Sequence, residues 1–93
     1  MSTFKTIVKD PHTVVIDVRS PLEFKAEHIP GAKNIPLDKI QQHITELKSA
    51  KQAVVLYCRS GSRSAQALSI LKEYGVENAY NGGSIDQMRT YLN

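Results

Sequence analysis

The sequence predicts an α/β fold: a mainly parallel sheet of about four to five strands with helices on both faces. Three observations lead there. Two short runs, Thr13–Asp17 (TVVID) and Ala53–Cys58 (AVVLYC), are rich in β-branched residues and apolar without alternation. Strands buried on both faces read that way. Helix-cap signals lie between and after these runs. The order strand, helix, strand, helix then calls for right-handed crossover connections, which set the strands parallel.

Along the chain, Phe4–Val8 (FKTIV) leaves its type open, and Thr13–Asp17 is the first clear strand. Ser20, Pro21 and Glu23 follow as N-cap, first helical residue and capping-box partner of a helix that Ile29–Gly31 (IPG) ends. Ala32–Pro36 (AKNIP) reads as a minor strand. Asp38 and Gln41 repeat the cap pattern, and Leu37, Ile40, Ile44 and Leu47 line one face of the helix they would start. The strongest strand, Ala53–Cys58, leads to a helix beginning near Ser64, marked by Ala67, Leu68, Leu71 and Tyr74 and closed by Gly75. Asn78–Asn81 (NAYN) is a second minor strand. Ser84 and Gln87 then cap a last helix with Ile85, Met88 and Leu92 on one face.

Ninety-three residues suffice for one domain, 1–93, around a single modest core. An apolar content of 41% excludes a disordered chain. The net charge of +3 is scattered, so no concentrated basic face points to nucleic acid or membrane, although small anions are favoured. The apolar stretch near the N-terminus is too short for a signal peptide and is broken by Lys5 and Lys9, and no run could span a bilayer. A cytoplasmic monomer is the expectation. The single cysteine cannot form an internal disulfide, and a thiol stays reduced most easily in the cytosol.

In such sheets ligands bind beyond the carboxyl ends of the strands, where Cys58 stands. The residues after it, Arg59, Ser60, Gly61, Ser62, Arg63 and Ser64, must curl from a strand into a helix, and Gly61 supplies the freedom. A tight loop feeding a helix N-terminus turns backbone N–H groups inward and cradles anions, with the three serines as further donors. The helix start and the flanking Arg59 and Arg63 lower the thiol pKa, so a thiolate nucleophile is expected in a pocket made for anions. A buried structural cysteine fits poorly with two arginines and a glycine so close by.

The loop CRSGSR (Cys58–Arg63) resembles the active-site loop of the rhodanese family, which begins at the persulfide-forming cysteine. DVRSPLEFKAEHIPGAKNIPL (Asp17–Leu37) is similar to a longer family motif, and NGGSIDQM echoes a third element, a Gly-Gly pair near the C-terminal end. The resemblance implies a single-domain, three-layer α/β/α rhodanese-like fold and a thiosulfate sulfurtransferase. Cys58 would take a sulfane sulfur from a small anionic donor such as thiosulfate. It would then pass the sulfur from its persulfide to cyanide in an assay, or to a thiol or protein in the cell, with no metal or organic cofactor. Gln87 stands where many family members carry Trp, which implies a different pocket wall. The family's first strand and helix also look trimmed here.

Asp17, Arg19, Gly82 and Gly83 are site-shaping candidates. The simpler reading of Asp17 and Arg19 is an ion pair that orders the loop. Glu23 reads as a cap, His28 as a hydrogen-bonding partner of the loop around Pro30, and His12 and His43 as solvated. A second function class is a persulfide carrier or partner-docking module, which would load only from a dedicated desulfurase. A cysteine phosphatase or arsenate reductase would place its anion-clamping arginine one position later, where this sequence has Ser64.

Overall fold

The strand Val54–Cys58 sits at the centre of the computed structural model, which describes residues 3–93. Met1 and Ser2, the first residues of the expected domain, lie outside the described residues. The elements run α1 (Phe4–Lys9), β1 (Val14–Asp17), α2 (Pro21–Ala26), β2 (Lys33–Asn34), a 3-10 helix (Leu37–His43), α3 (Ile44–Ser49), β3 (Val54–Cys58), α4 (Ser62–Glu73), β4 (Ala79–Ser84) and α5 (Ile85–Leu92). Four parallel strands lie in the order β2-β1-β3-β4.

Every residue of β3 is buried, so its continuous apolar run serves two cores at once. Val54, Leu56 and Cys58 point to one face, where Ile16, Ile40, Leu47, Ala67 and Leu71 gather. Val55 and Tyr57 point to the other, with Val8, Ile29, Ile85 and Met88. The pleat thus divides one string of residues between two layers of helices, and it turns the sulfur toward the α4 face.

Several elements differ in detail from the sequence reading. Phe4–Lys9 is helical because Phe4, Ile7 and Val8 recur at helical spacing and pack on one side, with Phe4 against Tyr80 and Tyr91 at 6.0 and 5.1 Å between ring centroids. Thr3 caps α1 by accepting from the Thr6 N–H. The stripe from Leu37 to Leu47 does face the core, but Leu37–His43 winds as a 3-10 helix. Asp38 lies inside its first turn and caps nothing; Pro36 precedes the helix and offers no side-chain acceptor. The minor strand around Lys33 shrinks to two residues, whereas the one around Tyr80 extends through Gly82 and Gly83 to Ser84. There the pairing of β3 with β4 slips between Leu56 and Tyr57.

The helix ends follow the sequence closely. Ser20 with Glu23, and Ser84 with Gln87, form complete capping boxes. Gly75, at φ +89°, closes α4: its N–H donates to the Lys72 carbonyl and the Val76 N–H donates to the Leu71 carbonyl, placing Val76 in the core. Tyr74 differs from expectation and is 47% exposed, since the cap turns it outward. No helix among the described residues is long and apolar enough to cross a membrane.

Leu71 is wholly buried between α4 and the sheet. Leu71→Ala is expected to lower unfolding free energy by about 2–5 kcal/mol, as measured by urea denaturation.

Candidate active site

β3 ends at Cys58 and α4 begins at Ser62, so the chain must reverse over Arg59, Ser60 and Gly61. Gly61 makes this possible at φ +99°, in the left-handed region. Space does not demand it: a Cβ there would meet Gly83 at ordinary contact distance, 3.5 Å from its Cα. The tight turn aims backbone donors at the sulfur. The Gly61 N–H donates to Cys58 Sγ at 3.0 Å and the Ser64 N–H at 3.4 Å, while Ser64 Oγ lies 3.4 Å away. Ser60 and Ser62 turn their hydroxyls toward each other, 3.4 Å apart and exposed, so of the three expected serine donors only Ser64 reaches the sulfur.

Cys58 has no exposed surface. Burial pushes its thiol pKa up. Hydrogen bonds available to the thiolate from the Ser64 hydroxyl and from the N–H groups of Ser64, Gly61 and Ser60 outweigh that, and the pKa lies below the ordinary value. The lowering expected from the sequence is present, but its main source is the loop and not the two arginines.

The arginines play different parts. Arg63 grips Glu23 across the site, with Nη1 and Nη2 at 2.7 and 3.0 Å from the two carboxylate oxygens. Its fork is therefore engaged, joining the first turn of α4 to α2. Glu23, read from sequence only as a cap, both caps the start of α2 and anchors Arg63. Nothing local in the sequence signals a pair forty residues apart. Arg59, in contrast, is exposed and has no hydrogen-bond partner among the described residues. It borders a cavity of about 420 Å³ with Arg19, Glu23, Ala26, Glu27, Ile85 and Asp86.

Asp17 and Arg19 form the buried ion pair that the simpler reading expected. Asp17 accepts from the Arg19 N–H and Nε at 2.9 Å and from Nη2 at 2.6 Å, and Nη2 also donates to the Glu27 carbonyl. This fixes the path from β1 to the end of α2. Beneath it, Tyr57 accepts the Ile29 N–H at 3.0 Å. His28 bonds the Phe24 carbonyl through Nδ1 at 2.8 Å and stacks on the Phe24 ring, so it closes its own helix and not the loop around Pro30. His12 is exposed beside Asp10, and His43 rests beside Glu46.

Gly83 lies against Gly61 of the loop, whereas Gly82 packs on the core beside it. A Cβ on Gly82 would strike Met88 and Val55, and one on Gly83, at φ +85°, would strike Gln87. Gln87 fills that space because its side chain accepts the Ser84 N–H at 2.9 Å. Sequence reasoning missed Asn81. Its Oδ1 accepts from Ser64 Oγ at 2.7 Å and from the Gly83 N–H at 2.9 Å, and its Nδ2 faces the Gly61 carbonyl at 3.4 Å.

A family model described as the rhodanese-like domain matches residues 1–86. The chain belongs to the rhodanese family. Among curated relatives, the Bacillus subtilis protein YqhL is 43% identical over 67 residues, covering 72% of this chain and 52% of that protein. The Escherichia coli thiosulfate sulfurtransferase PspE is 39% identical over 71 residues, covering 75% and 68%. The chain thus spans about half the length of the first and two thirds of the second. A solved rhodanese with anions from E. coli superposes with a TM-score of 0.74 at 37% identity, covering 81% of this chain and 89% of that one. Among the described residues α1 packs on α5, and no strand precedes β1.

Glu23 carries the pH signature of this rhodanese loop. The Arg63 guanidinium holds its carboxyl down from an ordinary 4.5 to about 2; burial opposes this and Ser20 assists. A carboxylate with a depressed pKa stabilises the fold fully above its unfolded pKa and loses that contribution as pH falls. The Glu23–Arg63 contribution is therefore whole above about pH 4.5 and disappears toward pH 2. Glu23→Gln is expected to remove this part of the acid sensitivity, read as a smaller stability difference between pH 5 and pH 3 by chemical denaturation.

Proposed function

We propose that this rhodanese is a thiosulfate sulfurtransferase that works through a persulfide on Cys58. The observation that carries the reading is the sulfur itself, at a strand end, facing the N–H groups of Gly61 and Ser64 with its pKa lowered. The Cys58 thiolate attacks the outer sulfur of thiosulfate. The sulfur–sulfur bond of the donor breaks, sulfite leaves with the electron pair, and a new bond joins that sulfur to Sγ. Cyanide, a thiol or a protein thiolate then attacks the outer persulfide sulfur and returns the Cys58 thiolate, a two-step covalent cycle. The inward N–H groups stabilise the negative charge that Sγ carries before the first transfer and regains after the second.

Arg59 is the anion contact in this scheme, because its guanidinium is unengaged and borders the cavity beside the loop. Arg63 acts as a clamp on the loop through Glu23. The phosphatase reading loses support, since the arginine nearest the required spacing is held by a carboxylate and Ser64 occupies the position itself. The carrier reading draws on a separate observation, the complete burial of Cys58. A sulfur so enclosed is shielded from solvent until the loop shifts, which suits delivery to a docked partner. A reduced thiol of this kind suits the cytoplasm, the compartment we propose.

Cys58→Ser is expected to abolish sulfur transfer with the fold intact, and wild-type protein mixed with thiosulfate should gain the mass of one sulfur atom in intact-protein mass spectrometry. A wild-type protein that stays unmodified by thiosulfate but loads from a desulfurase would select the carrier reading. Arg59→Ala should raise the thiosulfate KM by roughly tenfold, the worth of one charge-assisted hydrogen bond, with little change in the denaturation midpoint.

A further inference from the structure

Three acceptors compete for one proton at the foot of the cysteine loop. Ser64 Oγ is 2.7 Å from Asn81 Oδ1, 3.1 Å from the Gly61 carbonyl and 3.4 Å from Cys58 Sγ, and the residue is wholly buried. A hydroxyl has a single proton to donate. The orientation of the Asn81 amide is fixed by a neighbour: the Gly83 N–H, which can only donate, lies 2.9 Å from the same amide atom. That atom is therefore the carbonyl oxygen, which only accepts. Ser64 accordingly gives its proton to Asn81 and turns a lone pair toward the sulfur. This arrangement suits a neutral Cys58, whose S–H can donate to Ser64 Oγ. It opposes a thiolate, because a lone pair then faces a negative sulfur.

We propose that Asn81 is a positioning residue for sulfur transfer: it holds the Ser64 proton while Cys58 is a thiol and yields it to Sγ when the thiolate forms. No covalent bond of Ser64 changes; its O–H rotates about the Cβ–Oγ bond, and the thiol proton passes to water. The inference rests on the reading of Cys58 as the nucleophile and adds a residue on β4 that sets how readily the nucleophile forms. The role is selective to the anionic state, because the Gly61 and Ser64 N–H groups point at the sulfur in either state whereas the hydroxyl must choose. The other charged groups around the sulfur are Arg59, Arg63 with its partner Glu23 on α2, and the Asp17–Arg19 pair at the end of β1. On α5, Arg89 pairs with Glu27 at 2.9 Å and with Asp86 at 3.3 Å, and β4 brings only Tyr80, whose hydroxyl donates to Asn78. Substitution of Asn81 leaves all of them in place.

The test is the pH titration of the thiolate by its ultraviolet absorbance, with the Cys58→Ser protein subtracted to remove tyrosine ionisation. Asn81→Ala should move the midpoint down, because Ser64 then donates to the sulfur with one competitor fewer. Ser64→Ala should move it up, and Asn81→Ala added to Ser64→Ala should move it no further. A midpoint unchanged by Asn81→Ala, or a shift equally large without the Ser64 hydroxyl, overturns the proposal. Should Asn81→Ala fail to fold, the isosteric Asn81→Asp carries the test. It should raise the midpoint by more in the presence of Ser64 than in its absence, and equal shifts in the two backgrounds, a pure charge effect, overturn the proposal. The titration needs no turnover, so a failed sulfurtransferase assay bears on the proposed function and not on Asn81.

Discussion

The Gly61 N–H pointing at the Cys58 sulfur is the contact on which the site depends. It exists only because residue 61 adopts a left-handed backbone, and that backbone is tolerable only without a side chain. The same residue ends the loop and opens α4, so the reversal of the chain, the start of the helix and the cradle for a sulfur anion are one event. An enclosed thiol would ordinarily be driven toward its neutral form. Here oriented donors compensate for the lost water, which allows a thiol of lowered pKa to sit inside the core cluster that stabilises the domain.

Around that contact the chain is tied by two ion pairs of different character. Asp17 and Arg19 are buried, multiply hydrogen-bonded and local, and they order the path into α2. Glu23 and Arg63 are partly exposed and distant in sequence, and they lash the first turn of α4 to the start of α2. The capping box at Ser20 aims the Glu23 carboxylate, so a device that starts one helix also steadies the start of another. The loop is thereby held from its helix side, while its Arg59 side faces the open cavity.

The sequence made the order of strands and helices readable because their signals are local. β-branched runs, capping boxes and the glycine after α4 each depend on residues within a turn of one another. Cys58 and its loop were readable for the same reason. What escaped were contacts made only after folding. Asn81 lies on a strand that sequence reading ended at that residue, and its partners Ser64 and Gly61 are seventeen and twenty residues away. The engagement of Arg63 by Glu23 was hidden likewise, so two arginines alike on paper differ in the fold. The 3-10 winding at Leu37–His43 was masked by an apolar stripe that satisfies either winding, with Pro36 removing the expected cap.

The packing of α1 on α5 has a consequence at the level of architecture. Phe4 and Tyr91 meet edge to face, 5.1 Å apart, so the two ends of the described chain leave the domain side by side. Neighbouring ends let a fold be spliced into a larger polypeptide at one junction without stretching its interior. That junction belongs to the face of the sheet opposite the one toward which the sulfur points.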